Sequence, residues 1–252
     1  MTTVTVIGGG NVALHLCKAL FKSPDIVLQQ IYSRNKLTSH FDEIEVDKIN
    51  NLELIKDSDV YIISVSDDAV IEVAKSLPLK DKLVVHTTGS VTMDDLPPAN
   101  RKGVFYPLQT FSKSKAVNFK DIPICLEAEF QNDYNILESI ATSISNQVYK
   151  IDSSQRRSLH LSAVFVNNFV NHLFYVGEQL GKDKNISFSI LKPLIEETVD
   201  KIKHINTFDS QTGPAKRNDI GTINSHLNQL ENYPNFQNIY QILTKSIRET
   251  YE

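Results

Sequence analysis

Through the first 150 residues, short apolar and β-branched runs alternate with segments whose apolar positions recur every three or four residues. That alternation is the pattern of a mostly parallel sheet with helices on both faces. Val4 to Ile7 reads as the first strand, and Val12 to Phe21 as a helix with Leu14, Cys17, Leu20 and Phe21 on its apolar side. Further strands are predicted at Ile26 to Tyr32, weakly at Ile44 to Val46, then at Val60 to Val65 and Leu83 to His86. Three more follow at Val104 to Tyr106, Ile122 to Leu126 and Gln147 to Ile151. From Asp152 onward the strand pattern stops. Helical patterns run over about Ser153 to Leu180 and Ser187 to His204, with two more after Pro214. Asp152, Ser153 and Ser154 suit a helix N-cap, and residues 206–218 form the one substantial loop. The expected fold is α/β: a doubly wound, mostly parallel sheet over residues 1–152, followed by an all-α domain over residues 153–252.

Composition narrows the function classes. The net charge of -4 leaves no excess of Lys and Arg, so nucleic-acid or anionic-membrane binding driven by bulk charge is not expected. Cys17 and Cys125 sit among apolar neighbours, as buried thiols of a reducing compartment do. No pair of residues has zinc-ligand spacing, and no metal is expected. Neither a signal-peptide pattern nor an apolar run of ~20 residues is present, so the expectation is a cytoplasmic protein off the membrane.

The chemistry begins at Gly8-Gly9-Gly10-Asn11-Val12-Ala13, a G-x-G-x-x-A turn between the first strand and its helix. The first glycine permits the tight turn, the second lets backbone approach a pyrophosphate, and the small sixth residue allows close helix–strand packing. The helix N-terminus then offers free N–H groups to phosphates. Gly8, Gly9, Gly10, Asn11 and Val12 are therefore expected at a dinucleotide. An NAD-specific site places an acid at the end of the second strand. Here Ser33 and Arg34 stand there instead, and a guanidinium suits the 2′-phosphate of NADP. Val65 and Ser66 end one strand and Thr87, Thr88 and Gly89 another, at the edge where such sheets bind ligands. Asp67 reads best as a plain helix N-cap.

These motifs, with Phe105-Tyr106-Pro107-Leu108-Gln109-Thr110-Phe111-Ser112 and Gly213-Pro214-Ala215-Lys216-Arg217-Asn218-Asp219, resemble one family across the whole chain. It is a group of oxidoreductases pairing a Rossmann-like domain with a helical C-terminal domain of unknown function. The group lies in the 6-phosphogluconate dehydrogenase-like superfamily, with β-hydroxyacid dehydrogenases, ketopantoate reductase and pyrroline-5-carboxylate reductase. The resemblance implies NADP binding and reduction of a small carbonyl or imine compound, such as a 2-oxo acid like ketopantoate. An NADP-binding regulatory or scaffold protein without turnover is the alternative.

Leu159 to Phe174 is apolar nearly all round, which predicts a buried helix. His160, Asn167 and Asn171 interrupt it within about 40° at ~100° per residue, with Asn168 on the adjoining flank. Such a stripe either satisfies hydrogen bonds structurally or lines a cleft. In the relatives this helix carries a lysine followed a turn later by asparagine. The resemblance places Val164 where that lysine belongs, so the lysine mechanism is not simply inherited. His160 is the candidate acid, since histidine titrates near neutrality, or else a core histidine; Lys192 is a weaker stand-in for the lysine. Asn168 is assigned to catalysis beside His160, and Gln109, Asn167 and Arg217 to substrate binding. Pro214 and Asp219 equally read as helix stop and start signals. A homodimer through residues 153–252 is expected, because the apolar helix needs cover.

Overall fold

The computed structural model of the chain describes residues 1–251. Its first half is one sheet of eight strands: β1 (Thr2–Ile7), β2 (Ile26–Tyr32), β3 (Asp47–Ile49), β4 (Val60–Ile63), β5 (Leu83–His86), β6 (Arg101–Pro107), β7 (Ile124–Ala128) and β8 (Val148–Lys150). Their spatial order is β3-β2-β1-β4-β5-β6-β7-β8. Neighbours pair in parallel, except that β6 and β7 are antiparallel. The order reverses between β1 and β4, the switch point outside whose carboxyl ends doubly wound sheets bind ligands.

Side-chain alternation puts a core on each face. Val4, Val6, Val60, Ile62 and Val85 face α1 (Asn11–Lys22) and α3 (Gln131–Ile144), meeting Leu14, Cys17, Leu20, Leu137 and Ile140. Ile7, Tyr61, Ile63 and Val84 face the opposite side, where α2 (Val70–Ser76) brings Val70 and Ala74. Buried on both faces, these strands need the continuous apolar runs by which the sequence announces them. The weak strand expected at Ile44 to Val46 forms instead at Asp47–Ile49, pairing with Gln30–Tyr32. Ile44 is buried in the core as part of the approach to it.

Past residue 152 come α4 (Ser153–Ala163), a π-helical turn over Val164–Phe169, α5 (Val170–Lys182), α6 (Lys192–Lys201), α7 (Ile220–Gln229) and α8 (Pro234–Tyr251). An Asp152–Gln155 capping box starts α4. By packing, the chain divides into two compact units, residues 1–167 and the remainder from Asn168.

The expected burial of Leu159 to Phe174 does not hold within one chain: Leu161 is 60% exposed, Phe165 60% and Val166 74%. Among the described residues, the hydrophobic side chains buried beyond residue 152 are Ala215, Ile223 and Leu230. No described helix is long and apolar enough to cross a membrane.

Candidate active site

The turn after β1 is built by close backbone approaches. Gly8 lies at φ 147, and a Cβ there would fall 2.0 Å from the Ser64 carbonyl oxygen of the strand alongside. A side chain on Gly9 would meet Ser33 Oγ at 2.8 Å. At Gly10 a Cβ would meet nothing within 4 Å. Gly10 is the N-cap of α1 and supplies no side-chain cap, and no acid occupies the first turn. The N-terminal end of α1 thus keeps N–H groups without a side-chain cap, with free space beside Gly10, which fits a pyrophosphate. Ser33 is half-buried beside Gly9, while Arg34 is exposed, with no ion pair among the described residues.

The next two strand ends are joined to each other. Ser64 and Thr87 share a buried hydroxyl contact of 3.3 Å, and Ser90 Oγ donates to the Asp67 carboxylate. Asp67 is therefore not the expected N-cap. Ser66 takes that position, and the Asp67 carboxylate turns to Ser90 instead. Val65 is half-buried and Ser66 exposed.

At the end of β5, His86 Nδ1 accepts from the Thr88 backbone N–H at 3.2 Å, which shapes the Thr87-Thr88-Gly89 turn. Burial drives the His86 imidazole down to about 4, helped by the nearby Arg156 charge and opposed by the Thr92 backbone and Asp95. Histidine 86 is neutral at pH 7.

α4 is fixed to this loop by a buried ion pair. Arg156 has no exposed surface; its Nη1 donates to Glu127 at the end of β7, and its Nη2 donates to the Val91 carbonyl at 2.6 Å. Glu127 also accepts from Ser153 N and Oγ at 3.0 Å, and Ser153 Oγ accepts from Met93 N. Removing one partner of a buried pair leaves an uncompensated charge. The lock therefore fixes where the next helical turn falls, and that turn carries His160.

The half-buried His160 ring lies against Gly89: a Cβ on Gly89 would come 2.5 Å from His160 Nδ1. Nδ1 also lies 3.1 Å from the hydroxyl of Tyr106, near the carboxyl end of β6. The rings meet edge to face, 6.2 Å apart. Burial, with Cys125 and Asp67 nearby, pushes the Tyr106 hydroxyl up to about 12. Tyr106 lies inside a sequence motif that assigns it no role, and Arg156 and Glu127 lie outside every motif. Nothing in a single sequence pairs residues 54 or 29 positions apart.

The Tyr-Pro-Leu-Gln-Thr-Phe-Ser segment runs back to α1. Asn11 Nδ2 donates to the Phe111 carbonyl at 2.9 Å, and His15 Nε2 lies 2.8 Å from the Ser112 carbonyl. Gln109 is exposed, its Oε1 accepting from Thr110 N. Asn167 is exposed in the π turn at the end of the first unit. Asn168 and Arg217 belong to the second unit, where both are exposed. In that unit Asp219 caps α7 by accepting from Thr222 N at 3.0 Å, so the helix-start reading of that residue holds. Pro214 lies in turns well after α6 and ends no helix.

An NADP-dependent oxidoreductase is the class this sheet and its phosphate turn define, and residues 3–89 match the family described as NADP oxidoreductase coenzyme F420-dependent. Residues 122–247 match the domain of unknown function DUF2520, and the chain belongs to that family. It is similar over 98% of its length to 98% of a candidate NADP oxidoreductase from Bacteroides fragilis, at 38% identity and a TM-score of 0.91. A Thermotoga maritima protein is 23% identical, with a TM-score of 0.80 and 98% and 99% of the two chains covered. A reductive aminase from Aspergillus terreus, in complex with NADPH and ethyl levulinate, shares the fold at 14% identity. Its TM-score is 0.71, with 99% and 94% covered. No curated protein matches the chain.

Proposed function

We propose that the protein is an NADPH-dependent reductase of a small carbonyl or imine compound, with 2-oxo acids such as ketopantoate as the leading substrate class. The observation that carries this reading is His160, held against Gly89 at the carboxyl edge of the sheet. The Gly8–Val12 turn would hold the dinucleotide, with Ser33 and Arg34 at its 2′-phosphate and Val65, Ser66 and Thr87–Gly89 along its nicotinamide half. When bound, it supplies the hydride. His160 gives a proton from Nε2 to the acceptor's oxygen or nitrogen, and Asn168 polarises that atom. Gln109, Asn167 and Arg217 bind the substrate, Arg217 through a carboxylate. Fold neighbours named as imine reductase from Myxococcus stipitatus and pyrroline carboxylate reductase from Plasmodium falciparum are in keeping with an imine as acceptor. Val164, standing where the relatives carry lysine, favours a second reading: NADP binding without turnover. The helical region, residues 153–252, is assigned as the interface of a homodimer.

NADPH oxidation over a panel of 2-oxo acids and cyclic imines, ketopantoate and 1-pyrroline-5-carboxylate included, tests the reading. The expected result is turnover that His160→Ala lowers ~100-fold or more, as loss of an acid catalyst does, with NADPH affinity retained. A variant that turns over at the parental rate would return His160 to a packing role. No oxidation across the panel favours the second reading. NADPH should bind more tightly than NADH, with the gap narrowed in Arg34→Asp; equal affinities in the parent would remove Arg34 from the site.

A further inference from the structure

We infer that Tyr106 is the positioning residue of this site: its hydroxyl holds His160 Nδ1, so that Nε2 is the nitrogen left to exchange a proton with a ligand. The inference rests on the reductase reading for what Nε2 does, and on the geometry alone for the pairing.

Three observations converge on Nδ1. The Tyr106 hydroxyl lies 3.1 Å from it. Gly89 packs against the same edge of the ring, and any side chain there would collide with Nδ1, Cγ and Cβ. One helical turn back, the Arg156–Glu127–Ser153 lock fixes the backbone that carries the ring. Nδ1 is therefore enclosed by a hydroxyl and a backbone, whereas Nε2 makes no hydrogen bond among the described residues.

A phenol hydroxyl accepts as well as donates, so it serves both charge states of the ring. When His160 is an imidazolium, Nδ1–H donates to the phenol oxygen. As the acceptor's carbon takes the hydride, the Nε2–H bond breaks and an O–H or N–H bond forms on the acceptor. The imidazole is left neutral, with Nδ1–H still on Tyr106. Water returns the proton to Nε2. The Tyr106 hydroxyl keeps its own proton throughout, since burial holds it far above neutrality. The titratable and charged groups around it are His160, Cys125, Asp67 and Arg156. Tyr106 therefore acts by holding the ring and does not itself deliver a proton.

Two measurements on the full chain decide this. In ring-nitrogen NMR spectra at a pH about two units above the usual histidine value, with His160→Gln assigning the signals, Tyr106→Phe is expected to move the His160 Nδ1 resonance. An unmoved resonance overturns the pairing. The second is a double-mutant cycle on whichever panel compound the parent reduces. Tyr106→Phe is expected to lower kcat roughly tenfold with KM for NADPH unchanged, a smaller loss than removing the acid itself. It should cost nothing further in the His160→Gln background, because groups acting as a unit are not additive. A full additional loss in that background would make Tyr106 a packing residue and overturn the proposal. If the parent oxidises no NADPH on any compound, the reductase reading falls, while the Nδ1 resonance still decides the pairing.

Discussion

Inside β5, His86 exposes none of its surface and accepts at Nδ1 from Thr88. Its proton is thus on Nε2, which has no hydrogen bond of good geometry. A second proton would have to displace the Thr88 N–H and place a charge in the core near Arg156. The folded imidazole is held at about 4, against ~6.5 in an unfolded chain. Above ~6.5 neither state binds the extra proton and the contribution is constant. As pH falls from ~6.5 toward 4, the unfolded chain takes up a proton that the folded one refuses, so stability is lost across that window. The loss amounts to about 3 kcal/mol. Urea midpoints measured at pH 7 and pH 4.5 should show a smaller drop for His86→Asn than for the parent. Equal drops would mean that His86 does not set this acid sensitivity.

Elements with a strong period were legible from the sequence, and contacts between distant elements were not. β2 and β5 fall at the residues where the apolar runs place them, and α1 opens at the glycine turn. β3 slipped because a three-residue edge strand, Asp47–Ile49, with Asp47 and Lys48 exposed has no apolar run to mark it. The polar stripe on the long helical segment was laid out at a fixed 100° per residue. That phase does not survive the π turn over Val164–Phe169, where bonding to the fifth residue changes the rotation. The candidate site was half legible. The phosphate turn and the strand-end loops announce themselves by local composition. The Arg156–Glu127 lock and the Tyr106–His160 pair depend on which strand lies beside which, and only the assembled sheet order brings them together.

Across the whole molecule the apolar side chains are unevenly used. The sheet buries its hydrophobic residues on both faces, whereas the helical region leaves Leu161, Phe165, Val166 and Phe169 at least half exposed. Ile190, Leu194 and Ile242, further along, are more than 60% exposed. Exposed apolar surface on this scale marks an interaction site, and a region of about 100 residues with so small a core has little independent stability. The homodimer proposed above would cover this surface. Light scattering at micromolar concentration should give about twice the mass of the 28.5 kDa chain. Phe165→Glu with Leu161→Glu should shift the protein toward monomer. A monomeric parent would exclude the dimer.

Gly10 has a further consequence, for mutational tolerance. Its φ of -79 is open to any residue, and a methyl group there would touch nothing in the protein. Screened for folding alone, Gly10→Ala should score as neutral, or gain up to about 1 kcal/mol by stiffening the unfolded chain. Screened for NADPH binding, it should lose affinity tenfold or more, because the backbone can no longer approach the pyrophosphate. Gly8, wedged against Ser64, should fail both screens. Selection at Gly10 then acts through the ligand and not through the fold, and a Gly10→Ala protein with unaltered NADPH affinity would refute that separation.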